Sequence, residues 1–328
     1  MTLAGAQLFD SPSMTNEPAP VPDMMTRRRS LPAGGAVAMV AMADGWMVRT
    51  AVWRPRDPAL GMVLMVGGRG DFIEKYAEAL HDLVEAGWGV ATFDWRGQGL
   101  SGRLGDAPEK GHCNDFGVWL DDLDQLLTRW RADMPGRWVA VAHSMGGHLV
   151  LRRLTTGGDD FARVVLLSPL LGLLAPPLGP RLASIAARVM VMAGRGGDYV
   201  YGGGPRIKAP PGSPRQLMLT SDAERYGDEG WWAEQEPRLS MGSATWGWLN
   251  AAFRSLGLLW AGLGRVQTPV LVMIPTTDGL VDNAATRAAM PLIPGARLEV
   301  IACTGHELLR ERDAVRAQVV ARVRAFLA

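Results

Sequence analysis

The 328-residue chain carries 34 basic against 33 acidic residues, and it is 48% hydrophobic with 20% charged residues. That balance excludes a disordered chain and a basic surface built for nucleic acid, and two cysteines, Cys113 and Cys303, exclude a disulfide framework. The excess is in 40 Gly and 22 Pro, which without a repeat predict an ordered fold with many sharp turns.

Residues 1–35 read as a mobile N-terminal tail, Pro-rich and polar over the first 29. Arg27, Arg28 and Arg29 ahead of the uncharged run 30–43 give residues 24–43 a second reading as a signal-peptide-like stretch. The preferred reading is a hairpin, AVAMVAM and WMVRTAVW joined through Asp44-Gly45. Beyond it, short apolar runs alternate with helical patterns: strands at 61–68, 88–95, 137–142, 163–168, 269–274 and 297–301. Helices are expected at 73–87, 115–133 (capped by Asp115), 144–154, 181–193, 244–261, 284–290 and 313–327. Near-continuous apolar strands between helices predict a mostly parallel sheet covered on both faces. The rhythm breaks at 170–240, which is rich in Pro, Gly and Trp. The expected organisation is therefore a core first half at 36–169, a cap or lid insertion at 170–240, and a core second half at 241–328. The longest uncharged run, 164–180, carries four prolines (Pro169, Pro176, Pro177, Pro180) and is too short to span a membrane as a helix.

The strongest chemical signal is Ala142-His143-Ser144-Met145-Gly146, followed by Gly147, between a strand and a helix. A nucleophile on so tight a strand-to-helix turn requires small residues two before and two after it, and Ala142 and Gly146 meet that demand. The helix start also directs free N–H groups and a positive dipole end at the site. A serine hydroxyl needs a base, and the base needs a carboxylate to hold its tautomer. Of five histidines, His81 is expected on a solvated helix face, His143 and His148 flank the serine too closely, and His112 precedes it. His306, on the loop after strand 297–301, is the remaining base. The acid is Asp278, just past strand 269–274, while Asp282 reads as a helix cap and stays open as the alternative acid. The oxyanion donors are the backbone N–H groups of Arg69, in the turn Gly67-Gly68-Arg69-Gly70, and of Met145. This chemistry calls for neither metal nor organic cofactor.

These residues together resemble the α/β-hydrolase superfamily, and several segments resemble its monoacylglycerol lipase and bacterial lysophospholipase branch. The segments are Gly68-Arg69 with Lys75-Tyr76 and Ala77-Glu78, Phe93 through Gly102, Gly111-His112 with Phe116, Ala142 through Gly147, and His306-Glu307-Leu308-Leu309. They cover the core but not the insertion. The resemblance implies the α/β-hydrolase fold with an inserted lid, and a serine hydrolase cleaving esters of monoacyl glycerolipids through an acyl-enzyme. Two departures stand out: Gly67-Gly68 replaces the lipases' His-Gly pair, and the insertion is unusually rich in Gly and Pro. The alternatives are a carboxylesterase for another small acyl ester, or a hydrolase-like protein that only binds its ligand. A third, a dinucleotide-binding oxidoreductase, rests on Gly97-Gln98-Gly99-Leu100-Ser101-Gly102, which matches G-x-G-x-x-G but precedes a loop rather than a helix. In the hydrolase reading that turn carries Asp94, Arg96 and Ser101, bonded to one another and to the backbone. The expected partner is a small-molecule or lipid ester in a cytoplasmic protein, without nucleic acid. Transient membrane-surface contact would pass through the cap, with Trp231-Trp232 and LLGLLAPPL (170–178) as lid candidates.

Overall fold

The structure, a computed structural model, describes residues 23–57, 59–157, 160–205, 209–303 and 305–328. Eight strands form one sheet: β1 (Ala36–Ala41), β2 (Met47–Trp53), β3 (Met62–Val66), β4 (Gly89–Phe93), β5 (Trp138–His143), β6 (Arg163–Leu167), β7 (Val270–Pro275) and β8 (Arg297–Ile301). Their spatial order is β1-β2-β4-β3-β5-β6-β7-β8. The β1–β2 hairpin joins β4 antiparallel, and every pairing from β4 to β8 is parallel. Its turn passes through Gly45 at φ 83°, a conformation open to glycine and costly for a residue with a Cβ.

The helices are α1 (Met24–Arg28), α2 (Ala77–Glu85), α3 (Gly117–Asp133), α4 (Ser144–Leu154), α5 (Gly179–Met192), α6 (Pro214–Leu219), α7 (Ala223–Gln235), α8 (Trp246–Gly262), α9 (Asn283–Ala289) and α10 (Asp313–Leu327). Strand alternation divides the core into two layers. In β5, Ala140 and Ala142 pack with Phe116, Trp119, Leu126 and Leu149 on the face covered by α3, α4 and α8. Val139 and Val141 turn the other way, to Leu80, Val84, Val319 and Val323 under α2 and α10. A sheet buried on both faces is what near-continuous apolar strands require.

Chain order reverses around β3, whose neighbours are β4 and β5. Ligand crevices of open parallel sheets lie at the carboxyl ends of strands beside such a reversal. The loop 67–70 follows β3 and Ser144 follows β5, so both stand at that crevice. Because β7 and β8 run parallel to them, the loops holding Asp278 and His306 emerge at the same edge.

Several expectations change in detail. The tail expected through residue 35 falls outside the described residues over 1–22, but residues 23–35 are built into the fold. Asp23 caps α1, Arg27 is buried against Asp82 and Glu85, and Arg28 and Arg29 both meet Asp228. The basic run Arg27–Arg29 is thus paired with carboxylates of α2 and α7. His81 is buried rather than solvated, with Nε2 3.1 Å from the Ser30 carbonyl. The N-terminal segment covers a helix face that periodicity alone leaves open. The expected helix 73–87 begins as a separate 3-10 turn at Ile73–Tyr76, and α3 starts two residues late, with Phe116 as its cap residue. Asp115 accepts from the Gly117 N–H instead.

Candidate active site

The site starts from the backbone of Ser144, at φ 53° on the first residue of α4. A non-glycine residue in this region is strained, and the strain lifts the hydroxyl out of the β5–α4 turn. Small neighbours are required by contact. A Cβ on Gly146 would stand 2.4 Å from the Gly67 carbonyl oxygen, and one on Gly68 would stand 2.8 Å from the Ser144 Cβ.

His306 Nε2 lies 2.9 Å from Ser144 Oγ, and His306 Nδ1 lies 2.7 Å from Asp278 Oδ2. The other Asp278 oxygen accepts the N–H groups of Leu280 and Val281 at 2.8 and 3.0 Å. Burial works against the Asp278 charge, yet the His306 hydrogen bond and those two N–H groups hold its pKa below the ordinary carboxylate value. The Asp278 side chain is therefore an ionised acceptor fixed in orientation. Asp282 does not reach the histidine; it caps α9, its Oδ1 accepting from Ala284 and Ala285. The His306 loop is anchored from outside the core, the backbone N–H groups of His306 and Glu307 donating to the Met218 and Leu219 carbonyls of α6. Thr304, the first residue of the Thr-Gly-His-Glu run, lies outside the described residues.

Arg69 and Met145 line one cavity of about 600 Å³ together with Ser144 and His306. Its apolar wall includes Leu170, Leu173, Leu219, Met241 and Trp248. Of the lid candidates, the segment 170–178 contributes Leu170 and Leu173 to this wall. The Trp231-Trp232 pair does not line it. Trp232 donates its indole N–H to the Arg28 carbonyl and Trp231 stacks beneath Arg29, so the pair serves as the seat of the N-terminal segment.

Sequence reasoning missed the layer beneath the serine. Asp71 Oδ2 accepts from the Gly68 N–H at 2.5 Å and from the Tyr76 hydroxyl at 2.7 Å. His143 Nδ1 sits 2.9 Å from that hydroxyl. Lys75 is buried among Asp71, Glu229 and Glu307. Burial opposes the Asp71 charge, but Lys75 and His143 hold its pKa well below the usual value. The signal was present in the run Gly70-Asp71 and in Lys75-Tyr76, yet nothing in one dimension says that these residues turn back under Ser144.

The Gly97–Gly102 match opens no helix: Gly97, Gly99 and Gly102 all take positive φ in a tight turn, and α3 begins only at Gly117. Asp94 accepts from the N–H groups of Ile73 and Leu100, and Ser101 donates to the Asp94 carbonyl. Arg96, expected within the same cluster, turns away to Asp44 and Asp122.

A family model described as serine aminopeptidase, S33, matches residues 57–313. The chain is 30% identical over 273 residues to lysophospholipase L2 of Escherichia coli strain K12, covering 78% of this chain and 77% of that one. It is 28% identical over 275 residues to a probable lysophospholipase L2 of Haemophilus influenzae, covering 84% and 86% of the two chains. Among solved structures, a soluble variant of the Saccharomyces cerevisiae monoglyceride lipase, in complex with a substrate analog, superposes with a TM-score of 0.69. The identity there is 17%, and the match covers 94% of this chain and 99% of that one.

Proposed function

We propose that this chain, which belongs to the serine aminopeptidase S33 family of α/β-hydrolases, cleaves carboxylic esters of monoacyl glycerolipids through an acyl-enzyme on Ser144. The family makes it a serine ester hydrolase. The observation that carries the mechanism is the continuous relay from Ser144 Oγ through His306 to Asp278, with the serine held at positive φ over a helix start.

In this reading Ser144 Oγ attacks the ester carbonyl carbon while His306 Nε2 takes its proton. The oxyanion forms against the backbone N–H groups of Arg69 and Met145. The tetrahedral carbon then expels the alcohol, which leaves with the proton from His306. Water attacks the acyl-enzyme carbonyl, His306 again taking and returning the proton, and the carboxylic acid departs. Asp278 keeps the imidazole tautomer and stabilises the imidazolium at each stage.

The substrate class is supported by the lysophospholipase relatives and by a cavity with an apolar wall, of a size that takes one small lipid. Residues 170–240 act as the cap over it. No helix among the described residues is long and apolar enough to cross a membrane. Contact with a lipid surface is supported instead by α5. Its exposed Leu182, Ile185, Val189 and Met192 recur at spacings of three and four, and its only charged residues are Arg181 and Arg188.

Ser144→Ala tests the mechanism. Hydrolysis of p-nitrophenyl esters, monoacylglycerols and lysophospholipids should fall by at least about a thousandfold. Labelling by a fluorophosphonate should vanish with it. Retained esterase activity would overturn the assignment.

A further inference from the structure

Arginines in this molecule are matched to carboxylates almost wherever they are buried. Arg49 meets Glu74, Arg96 meets Asp122, Arg225 meets Glu78, and Arg310 meets Glu307. The cavity beside Ser144 breaks that pattern. Arg69 follows Gly68, the residue lying on the Ser144 Cβ, and its guanidinium makes no ion pair among the described residues. One Nη donates to the Gly242 carbonyl at 2.8 Å, the group stacks 5.3 Å from the Trp248 ring centroid, and Nε is buried without a partner. Arg215, on α6, lines the same cavity and likewise has no carboxylate partner among the described residues. Burial, and then the charge of Arg215, push the Arg69 pKa down to about 10. Two like charges therefore face one space, an arrangement that costs stability until an anion enters it. The acids lining the same cavity do not pair with them: Asp71, Glu229 and Glu307 surround Lys75, and Glu229 and Glu307 also meet Arg310.

We propose that Arg69 and Arg215 bind the phosphate of a glycerophospho headgroup, so that the substrate of Ser144 is a monoacyl phospholipid rather than a neutral monoacylglycerol. This rests on the ester-hydrolase reading above and narrows it. In such a lipid the phosphate stands one glycerol unit from the scissile carbonyl, and Arg69 extends from the backbone that flanks the oxyanion position. A guanidinium presents its donors in a fork that matches phosphate oxygens, which an ammonium cannot do. The unpaired Nε supplies a further buried donor. Trp248 keeps the guanidinium plane in place without neutralising it.

The test compares kcat/KM for oleoyl-lysophosphatidylethanolamine and for monooleoylglycerol, which share one acyl chain. The wild type should favour the phospholipid. Arg215→Gln, an exposed site whose change does not threaten folding, should lower that preference about tenfold, a loss of about 1.4 kcal/mol. Arg69→Gln, which keeps the backbone N–H, should lower it by at least as much, and Arg215→Lys should retain part of it. A preference untouched by Arg215→Gln and Arg69→Gln, or an equal loss on both substrates, would overturn the proposal. Calorimetry with glycerol 3-phosphate on Ser144→Ala needs no turnover, so the anion site and the hydrolase reading fail separately. Binding should appear there and weaken in the Ser144→Ala/Arg215→Gln double variant. Absence of binding, or equal affinity for inorganic phosphate alongside an unchanged substrate preference, would remove the headgroup role.

Discussion

Asp278 and Asp282 stand four residues apart on one loop, and hydrogen bonding separates their roles. Asp278 spends one oxygen on two backbone N–H groups and aims the other at His306, while Asp282 gives its oxygen to the first turn of α9. Asp278→Asn keeps the shape but presents an amide where the imidazole needs an acceptor, so kcat should fall by about 10³ to 10⁴. Asp282→Ala should leave the rate near wild type and lower stability by about 1 kcal/mol, read from the denaturant midpoint. The reverse pattern would make Asp282 the acid. Both carboxylates were legible in the sequence as candidates. Asp71 and Tyr76 were not, because His143, which both of them meet, is reached only once β3 and β5 lie side by side.

The excursion between β6 and β7 holds elements with opposite attachments. Helix α7 is clamped: Arg225 pairs with Glu78 of α2, with Asp222 and with Asp313 of α10, and Asp228 receives Arg28 and Arg29. Arg225→Met leaves buried Glu78 with Arg316 alone, at 3.3 Å, and the expected cost is about 3 kcal/mol, read as a lowered thermal midpoint. Helix α5 buries only Ala183 and Ala187, and its outer stripe ends in Met192, 78% exposed. Replacing Leu182, Ile185 and Val189 by Glu should abolish co-sedimentation with anionic vesicles, while hydrolysis of a soluble p-nitrophenyl ester continues. Undiminished sedimentation would remove α5 as the contact. The stripe was readable from the sequence as helical periodicity, but periodicity cannot say whether an apolar face meets a core or the outside. The same ambiguity made Trp231 and Trp232 look like a lid when they hold the N-terminal segment.

At the scale of the whole molecule, the two stretches of core are joined where α4 meets α8. His148 is buried there, with Nδ1 3.1 Å from the Leu170 carbonyl and Nε2 2.6 Å from Ser255 Oγ. Burial, with the nearby Arg152 charge, pushes its pKa down to about 3. The unfolded chain binds a proton at this residue below its ordinary value of 6.5 and the folded chain does not until about pH 3. Stability must therefore decline as pH falls through that window. Between pH 6.5 and 5, where carboxylates remain largely ionised, the denaturant midpoint of the wild type should drop more steeply than that of His148→Gln. Parallel slopes would show that His148 does not carry the dependence.

By itself the sequence determined the alternation of strands and helices, the small residues around Ser144, and the short set of histidines and aspartates able to serve it. Those features are local: they follow from side-chain period, turn sterics and chain order, each complete within a few residues. The tertiary structure alone decided what meets what. It buried the tail's arginines against α2 and α7, folded Asp71 and Lys75 under Ser144, and left Arg69 and Arg215 lining one cavity with no carboxylate paired to either among the described residues. The physical reason is that charge is settled by distance in space. Residues 27 and 82, or 75 and 307, have no relation along the chain until the sheet brings their elements within the reach of a side chain.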